Sequence, residues 1–141
     1  MGDRRVTGLR DRFAAARIAR LATVDRTGAP HIVPITFACD GDRVVTAIDH
    51  KPKRSSTLKR LDNIAAEPRV SLIVDHYDEN WARLWWVRAD GTATVLSRGD
   101  PGHRDACRRL EARYDEYRRI PVRGQVIDVQ VTRWSGWSAS S

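Results

Sequence analysis

The run HIVPITFACD, residues 31–40, sets Val33, Ile35, Phe37 and Cys39 on one face and carries a proline in its middle. A period of two is that of a strand with one buried face. Pro34 has no N–H to give to a ladder, which restricts this strand to a sheet edge or a bulge. The following DGD, 40–42, is a hairpin signal, and RVVTAIDH, 43–50, returns as the next strand. IARLATVD, 18–25, precedes them across the turn RTGAP, so the first half is expected to be a three-stranded meander. Ahead of it, residues 7–18 have helical spacing, with Leu9, Phe13, Ala16 and Ala14 turned inward.

The second half repeats this grammar. A helix is expected over 56–66, with Leu58, Leu61 and Ala65 on one face and Pro68 just past its end. RVSLIVDHYD, 69–78, is apolar on both faces at its centre, which suits a central strand. A long strand over 84–96 contains Gly91, the mark of a bulge. One helix is expected over 101–117, with Pro101 at its first position, and a last strand over 125–138 turns Ile127, Val129 and Val131 the same way. These elements predict a mainly β (α+β) fold: a six-stranded antiparallel barrel with peripheral helices, in a single domain over 1–141.

Composition narrows the partners. No segment approaches the ~18 apolar residues of a membrane span, and the N-terminus lacks an apolar signal core, so a cytoplasmic protein with no membrane partner is expected. Cys39 and Cys107, neither in a metal-ligand pattern, read as small buried hydrophobes, and no metal is expected. DHYDEN, 75–80, reads as a solvated turn. The net charge of +7 suits an anionic partner without choosing one. Nucleic acid is not expected, because the 18 acidic residues are interspersed with the basic ones and no nucleic-acid motif occurs.

The basic residues are nevertheless unevenly chosen. The chain has 22 Arg but only three Lys, and Lys51, Lys53 and Lys59 all fall within HKPKRSSTLKRL, residues 50–61. An Arg-rich, Lys-poor chain follows from a GC-rich genome, so the retained lysines carry more information than the arginines. The run lies between a strand and a helix, where free backbone N–H groups and the helix dipole favour an anion. Lys51, Lys53 and Arg54 add charge-assisted donors, and Ser55, Ser56 and Thr57 add hydroxyls or a helix cap. A bound phosphate and a solvated basic loop both fit these residues. Five tryptophans, Trp81, Trp85, Trp86, Trp134 and Trp137, form the other unusual feature. Trp85 and Trp86 are adjacent in a strand and face opposite sides, so one of them must meet a second surface. Trp81, Trp134 and Trp137 read as too exposed for an ordinary core, as for a planar ligand or a dimer contact. His31, His50, His76 and His103 form no recognisable triad or metal motif, so any chemistry is expected to belong to a cofactor.

LATVDRTGAPHIVP, the KPKR run with its hydroxyls before a helix, N-x-x-x-x-P-x-x-S-L-x-V-D and WWVRADGTA together resemble the split β-barrel flavin and deazaflavin oxidoreductases related to pyridoxamine 5′-phosphate oxidase. The resemblance runs over roughly residues 10–137 and is strongest to the actinobacterial branch that uses coenzyme F420. It implies an FMN-binding-protein-like barrel that works as a homodimer, with the cofactor at the subunit interface. By residue, it implies that Lys53, Arg54, Ser55 and Ser56 grip the cofactor phosphate, with Lys51 and Thr57 beside them. Val33, Pro34, Ile35, Thr46, Ala47 and Ile48 would lie along the ring, and Trp81, Trp86 and Arg88 would approach it from the other subunit. Trp134 and Trp137 are candidates by aromatic character alone. The chain ends TRWSGWSASS rather than in a basic segment, which argues against oxidation of pyridoxamine phosphate. The expectation is an F420-dependent oxidoreductase of a small organic substrate, with FMN as the alternative cofactor and a non-catalytic carrier as the alternative role.

Overall fold

The computed structural model describes residues 4–48 and 54–140, and for 54–58 the backbone alone. Among the described residues the strands are β1 (Ala19–Val24), β2 (Pro30–Ile35), β3 (Ala38–Asp40), β4 (Arg43–Ala47), β5 (Arg69–His76), β6 (Trp85–Leu96) and β7 (Val126–Ser138). The helices are α1 (Arg4–Ala15), α2 (Arg54–Ala66), α3 (His103–Arg113) and α4 (Asp115–Arg119), with a 3₁₀ turn at Trp81–Arg83. All the strand pairs are antiparallel, in the order β2-β1-β5-β6-β7-β4-β3.

That order forces the sheet to curl. β2 and β3 lie at its two ends, yet only Thr36 and Phe37 separate them in the chain. Three Cα steps reach at most about 11 Å, whereas the edges of a flat seven-stranded sheet would stand roughly 28 Å apart. The two edges must therefore approach each other, giving a half-open barrel.

The crossover accounts for seven strands where six were expected. Residues 31–40 do not form one strand, because side chains take the backbone groups at their centre. The Thr36 carbonyl accepts the Thr46 hydroxyl at 2.7 Å, and the Phe37 carbonyl accepts Arg113 Nη1 at 2.6 Å. The Phe37 N–H donates to Tyr114 Oη at 3.1 Å. The expected meander is corrected with it: β2 pairs with β1, while β4 lies between β3 and β7. Pro34 does sit on an edge strand, opposite Arg20.

Phe13 of α1 plugs the barrel, 5.0 Å from the Phe37 ring and 5.2 Å from that of Trp134. Trp134, expected to be exposed, is thus a core residue, and its Nε1–H donates to Asp42 Oδ1 at 2.9 Å. Arg10 donates to the same oxygen at 3.0 Å, tying α1, β7 and the β3–β4 turn together. A second apolar cluster packs Ala106, Cys107 and Leu110 of α3 against Ala38, Val45 and Val126. The register of β6 and β7 shifts between Asp90 and Gly91. A Cβ on Gly91 would stand 2.2 Å from the Gln130 carbonyl oxygen, so glycine alone fits this irregularity.

Two helices also differ from expectation. α2 turns Ile64 and Leu61 inward and leaves Ala65 exposed. The helix expected over 101–117 begins at His103 after Gly102, leaving Pro101 outside, and breaks at Tyr114, whose backbone is extended. Tyr114 Oη lies 2.9 Å from the carbonyl oxygens of Arg17 and Phe37, and these tertiary bonds override helical propensity.

Candidate functional site

The β2–β3 crossover and the end of β4 open into a cleft of about 450 Å³. This lies within the ordinary range for a small-molecule site. Pro34, Ile35, Ala47 and Ile48 form one wall, and Tyr114, Tyr117, Ile120 and Val122 form the other. Five of the six residues expected along a ring, Pro34, Ile35, Thr46, Ala47 and Ile48, are thereby brought together. The sixth, Val33, packs against the barrel core.

Most polar groups of the cleft are fixed by the crossover. Thr46 is buried with its hydroxyl held by the Thr36 carbonyl. The Thr36 and Tyr117 hydroxyls share a hydrogen bond at 2.8 Å. Tyr114 and Tyr117 meet edge to face at 5.7 Å, and the Arg113 guanidinium lies 4.9 Å from the centre of the Phe37 ring. Arg60 of α2 and Glu116 of α4 also line the cleft. Sequence reasoning missed Arg113, Tyr114, Tyr117, Arg60 and Glu116. The Tyr114/Tyr117 spacing was visible, but it looks like an ordinary helical face until the chain breaks at Tyr114.

Of the basic run, Arg60 on α2 lines this cleft. Lys51 and Lys53 lie outside the described residues, and Arg54, Ser55, Ser56 and Thr57 form the first turn of α2, with side chains outside the description. What holds α2 in place is described. Asn63 Nδ2 donates to the buried Thr23 hydroxyl at 3.0 Å, and Lys59 Nζ pairs with Asp25 Oδ2 at 3.3 Å. Lys59 is therefore an anchor on the β1–β2 turn. Asp25 also accepts the Thr27 hydroxyl at 2.7 Å and the Ala29 N–H at 3.0 Å, and these bonds, the Thr27 hydroxyl first, hold its carboxyl well below the usual range.

Trp81, Trp86 and Arg88 do not line the cleft of their own chain. Trp86 faces Asp75 and Trp137 across the sheet, whereas Trp85 faces the other way, stacked 5.9 Å from His76 under the Arg12 guanidinium. Arg88 pairs with Asp90 at 3.2 Å. On the sheet's outer face Ile32 is 64% exposed and Trp137 49%, while Trp81 in the β5–β6 loop is 67% exposed.

The remaining candidates have structural partners. In the 75–80 run, Asp75 pairs with Arg20 at 3.5 Å and Asp78 accepts the Asn80 N–H at 2.7 Å. Burial pushes the Cys39 thiol up to about 11 and raises that of Cys107, so neither is a nucleophile near neutrality. His103 and Cys107, one helical turn apart, do touch: Sγ lies 3.8 Å from Nδ1. Among the described residues no three His, Cys, Asp or Glu side chains gather to hold a metal, and no helix is long and apolar enough to cross a membrane.

The comparison with known families turns on this architecture. The pyridoxamine 5′-phosphate oxidase family matches residues 8–138. The chain belongs to that family. A 5a,11a-dehydrotetracycline/5a,11a-dehydrooxytetracycline reductase of Streptomyces rimosus is 34% identical over 91 residues, which cover 62% of this chain and 61% of that protein. A conserved hypothetical protein of Mycobacterium tuberculosis superposes with a TM-score of 0.73 at 20% identity, covering 99% of this chain and 86% of that one. An FAD-binding protein of Mesorhizobium loti gives 0.69 at 18% identity, covering 96% and 92%. These structures share the fold of this member of the pyridoxamine 5′-phosphate oxidase family.

Proposed function

We propose that the protein is an oxidoreductase that binds a flavin-type cofactor in the β2–β3/β4 cleft, and that this cofactor is the deazaflavin F420. The observation that carries this reading is the convergence of Pro34–Ile35 and Thr46–Ile48 on one cleft, with β4 leading along the chain into the KPKRSST run. The residues fit such a group. The walls are largely apolar, as a planar ring needs, and the 51–57 run supplies the cationic and hydroxyl donors that a phosphate needs. The reductase name of the Streptomyces relative supports the oxidoreductase class.

When bound, F420 supplies hydride transfer to or from an electron-poor carbon. The chain's part is to position and to exclude water. Ile35, Ala47 and Ile48 present the apolar wall, while the bond from Thr46 to the crossover keeps its hydroxyl from competing for the ring. The Thr36–Tyr117 hydroxyl pair, the Glu116 carboxylate and Arg60 are polar groups this cleft offers to a substrate. We assign the phosphate to Lys53, Arg54, Ser55 and Ser56, with Lys51 and Thr57 adjoining. We further propose that two copies meet through the outer face of the sheet, which would explain the exposed Ile32 and Trp137 and would bring Trp81, Trp86 and Arg88 of one subunit toward the other's cleft.

FMN is the second reading, favoured by the FAD-binding protein that shares the fold. Titration of the purified protein with each cofactor, followed by absorbance and fluorescence, separates the two. F420 should bind more tightly. Equal or tighter FMN binding would replace F420 with FMN, binding of neither would overturn the oxidoreductase reading, and binding without turnover of any acceptor would leave a carrier.

A further inference from the structure

A second cleft, of about 960 Å³, is lined in part by α3. Arg98 from the β6–α3 turn, Arg104 and Arg108 from α3, and Arg123 from the segment before β7 all line it. Among the described residues, none of these four guanidiniums has an ion-pair, hydrogen-bond or ring partner. Their neighbours behave otherwise. Arg43 bonds Asp128 at 2.9 Å and Asp105 at 3.0 Å, and Arg109 bonds Asp105 and Asp40, each at 2.8 Å. The Asp40, Asp105 and Asp128 carboxylates on this end of the molecule are thus engaged by Arg43 and Arg109.

Four unpaired like charges around one concavity repel. Arg104 and Arg108 stand one helical turn apart, a spacing at which like charges cost an isolated helix about 0.2–0.5 kcal/mol. The frame is nonetheless held: the buried His103 ring bonds the Gly124 carbonyl through Nε2 at 2.7 Å, fixing the segment that carries Arg123 against α3. Asp100 and Glu111 also line the cleft, so the positive field is bounded by acids instead of spreading over an open face.

We propose that this cleft is a binding site for a small multivalent anion carrying two or more phosphate or carboxylate groups. The planar forks of four arginines match the oxygens of such groups, and neutralising the cluster relieves its repulsion. Val122 lines both this cleft and the one assigned to the ring, so the two sites adjoin. The anion therefore has two possible sources: a charged extension of the molecule in the neighbouring cleft, or a separate polyanion.

Calorimetric titration of the full chain with inorganic tripolyphosphate at physiological salt tests the site without reference to any cofactor. The wild type should bind, and Arg104→Glu/Arg108→Glu should bind about 100-fold more weakly with FMN affinity unchanged. Arg98→Ala/Arg123→Ala serves the same purpose if the helical variant loses its fold. No binding by the wild type, equal binding by folded variants, or tighter binding of a short DNA duplex than of tripolyphosphate would overturn the proposal. A second arm identifies the source. If the cleft takes an extension of the ring ligand, F420 with a longer oligoglutamate tail binds more tightly than F420 with a shorter one, only in the wild type, and tripolyphosphate competes with it. If the anion is separate, the two bind independently, and either result upholds the site.

Discussion

Trp134 and Trp137 lie three residues apart on β7 and face opposite sides of the sheet. The first is 8% exposed, wedged beside Phe13 with its indole N–H bonded to Asp42; the second is 49% exposed beside Trp86. Strand geometry separates them, since an odd spacing reverses the face. One strand thus serves two surfaces, a core completed within the chain and an outer face on which Trp137 stands exposed. The cleft belongs to the completed side, because Phe37, which Trp134 helps to bury through Phe13, is the residue from which the crossover hangs.

The sharpest way to break this contrast is to truncate the two rings. Trp134→Ala should destabilise the fold by about 3–5 kcal/mol, read as a lower urea midpoint at every protein concentration. Trp137→Glu should leave the subunit folded and instead weaken self-association by at least ~2 kcal/mol, read by sedimentation. If Trp137→Glu unfolds the subunit, or leaves a dimer intact, the outer face is not the interface.

A smaller effect probes the crossover. Thr46→Val keeps the side-chain volume but leaves the Thr36 carbonyl without its hydroxyl donor, at a cost of about 1–2 kcal/mol. The same substitution should reduce cofactor affinity, while the outer-face change should lower the urea midpoint only through lost association, by an amount that varies with protein concentration.

The smallest effect concerns the anchor of α2. The folded Asp25 carboxyl titrates below its ordinary value of 3.8, so its bonds to Thr27, Ala29 and Lys59 are complete above that pH. They are lost as pH falls through the lower, folded value. Cofactor affinity of the wild type should therefore be flat from neutrality to about pH 5 and fall in stronger acid, and Asp25→Asn should weaken it a few-fold already at neutral pH. A wild-type affinity unchanged in strong acid would detach the β1–β2 turn from the phosphate run.

What could be read from the chain was local. Pro34 announced an edge, Gly91 a bulge, and Ile127, Val129 and Val131 the inner face of β7, because each is dictated by backbone sterics or by a period of two. What could not be read depended on contacts distant in sequence. The alternation of Val33, Ile35, Phe37 and Cys39 continues across the crossover, so nothing local marks the bend that divides β2 from β3. RRLEARYDEYRR contains no glycine or proline, and its break at Tyr114 comes from bonds to Arg17 and Phe37, some 97 and 77 residues away. Trp134 and Trp137 look alike in sequence, and only the register of β7 against β6 tells them apart. That Pro34, Ile35, Thr46, Ala47 and Ile48 come together was legible through family resemblance, whereas the tyrosine wall opposite them required the broken helix.

The central claim is that Pro34, Ile35, Thr46, Ala47 and Ile48 form the wall on which a planar cofactor lies. A crystal structure of the protein grown with F420 tests it most directly. The ring should lie against Ile35, Ala47 and Ile48, with its phosphate among residues 51–57. A ring bound anywhere else, or an empty cleft at saturating F420, would contradict it.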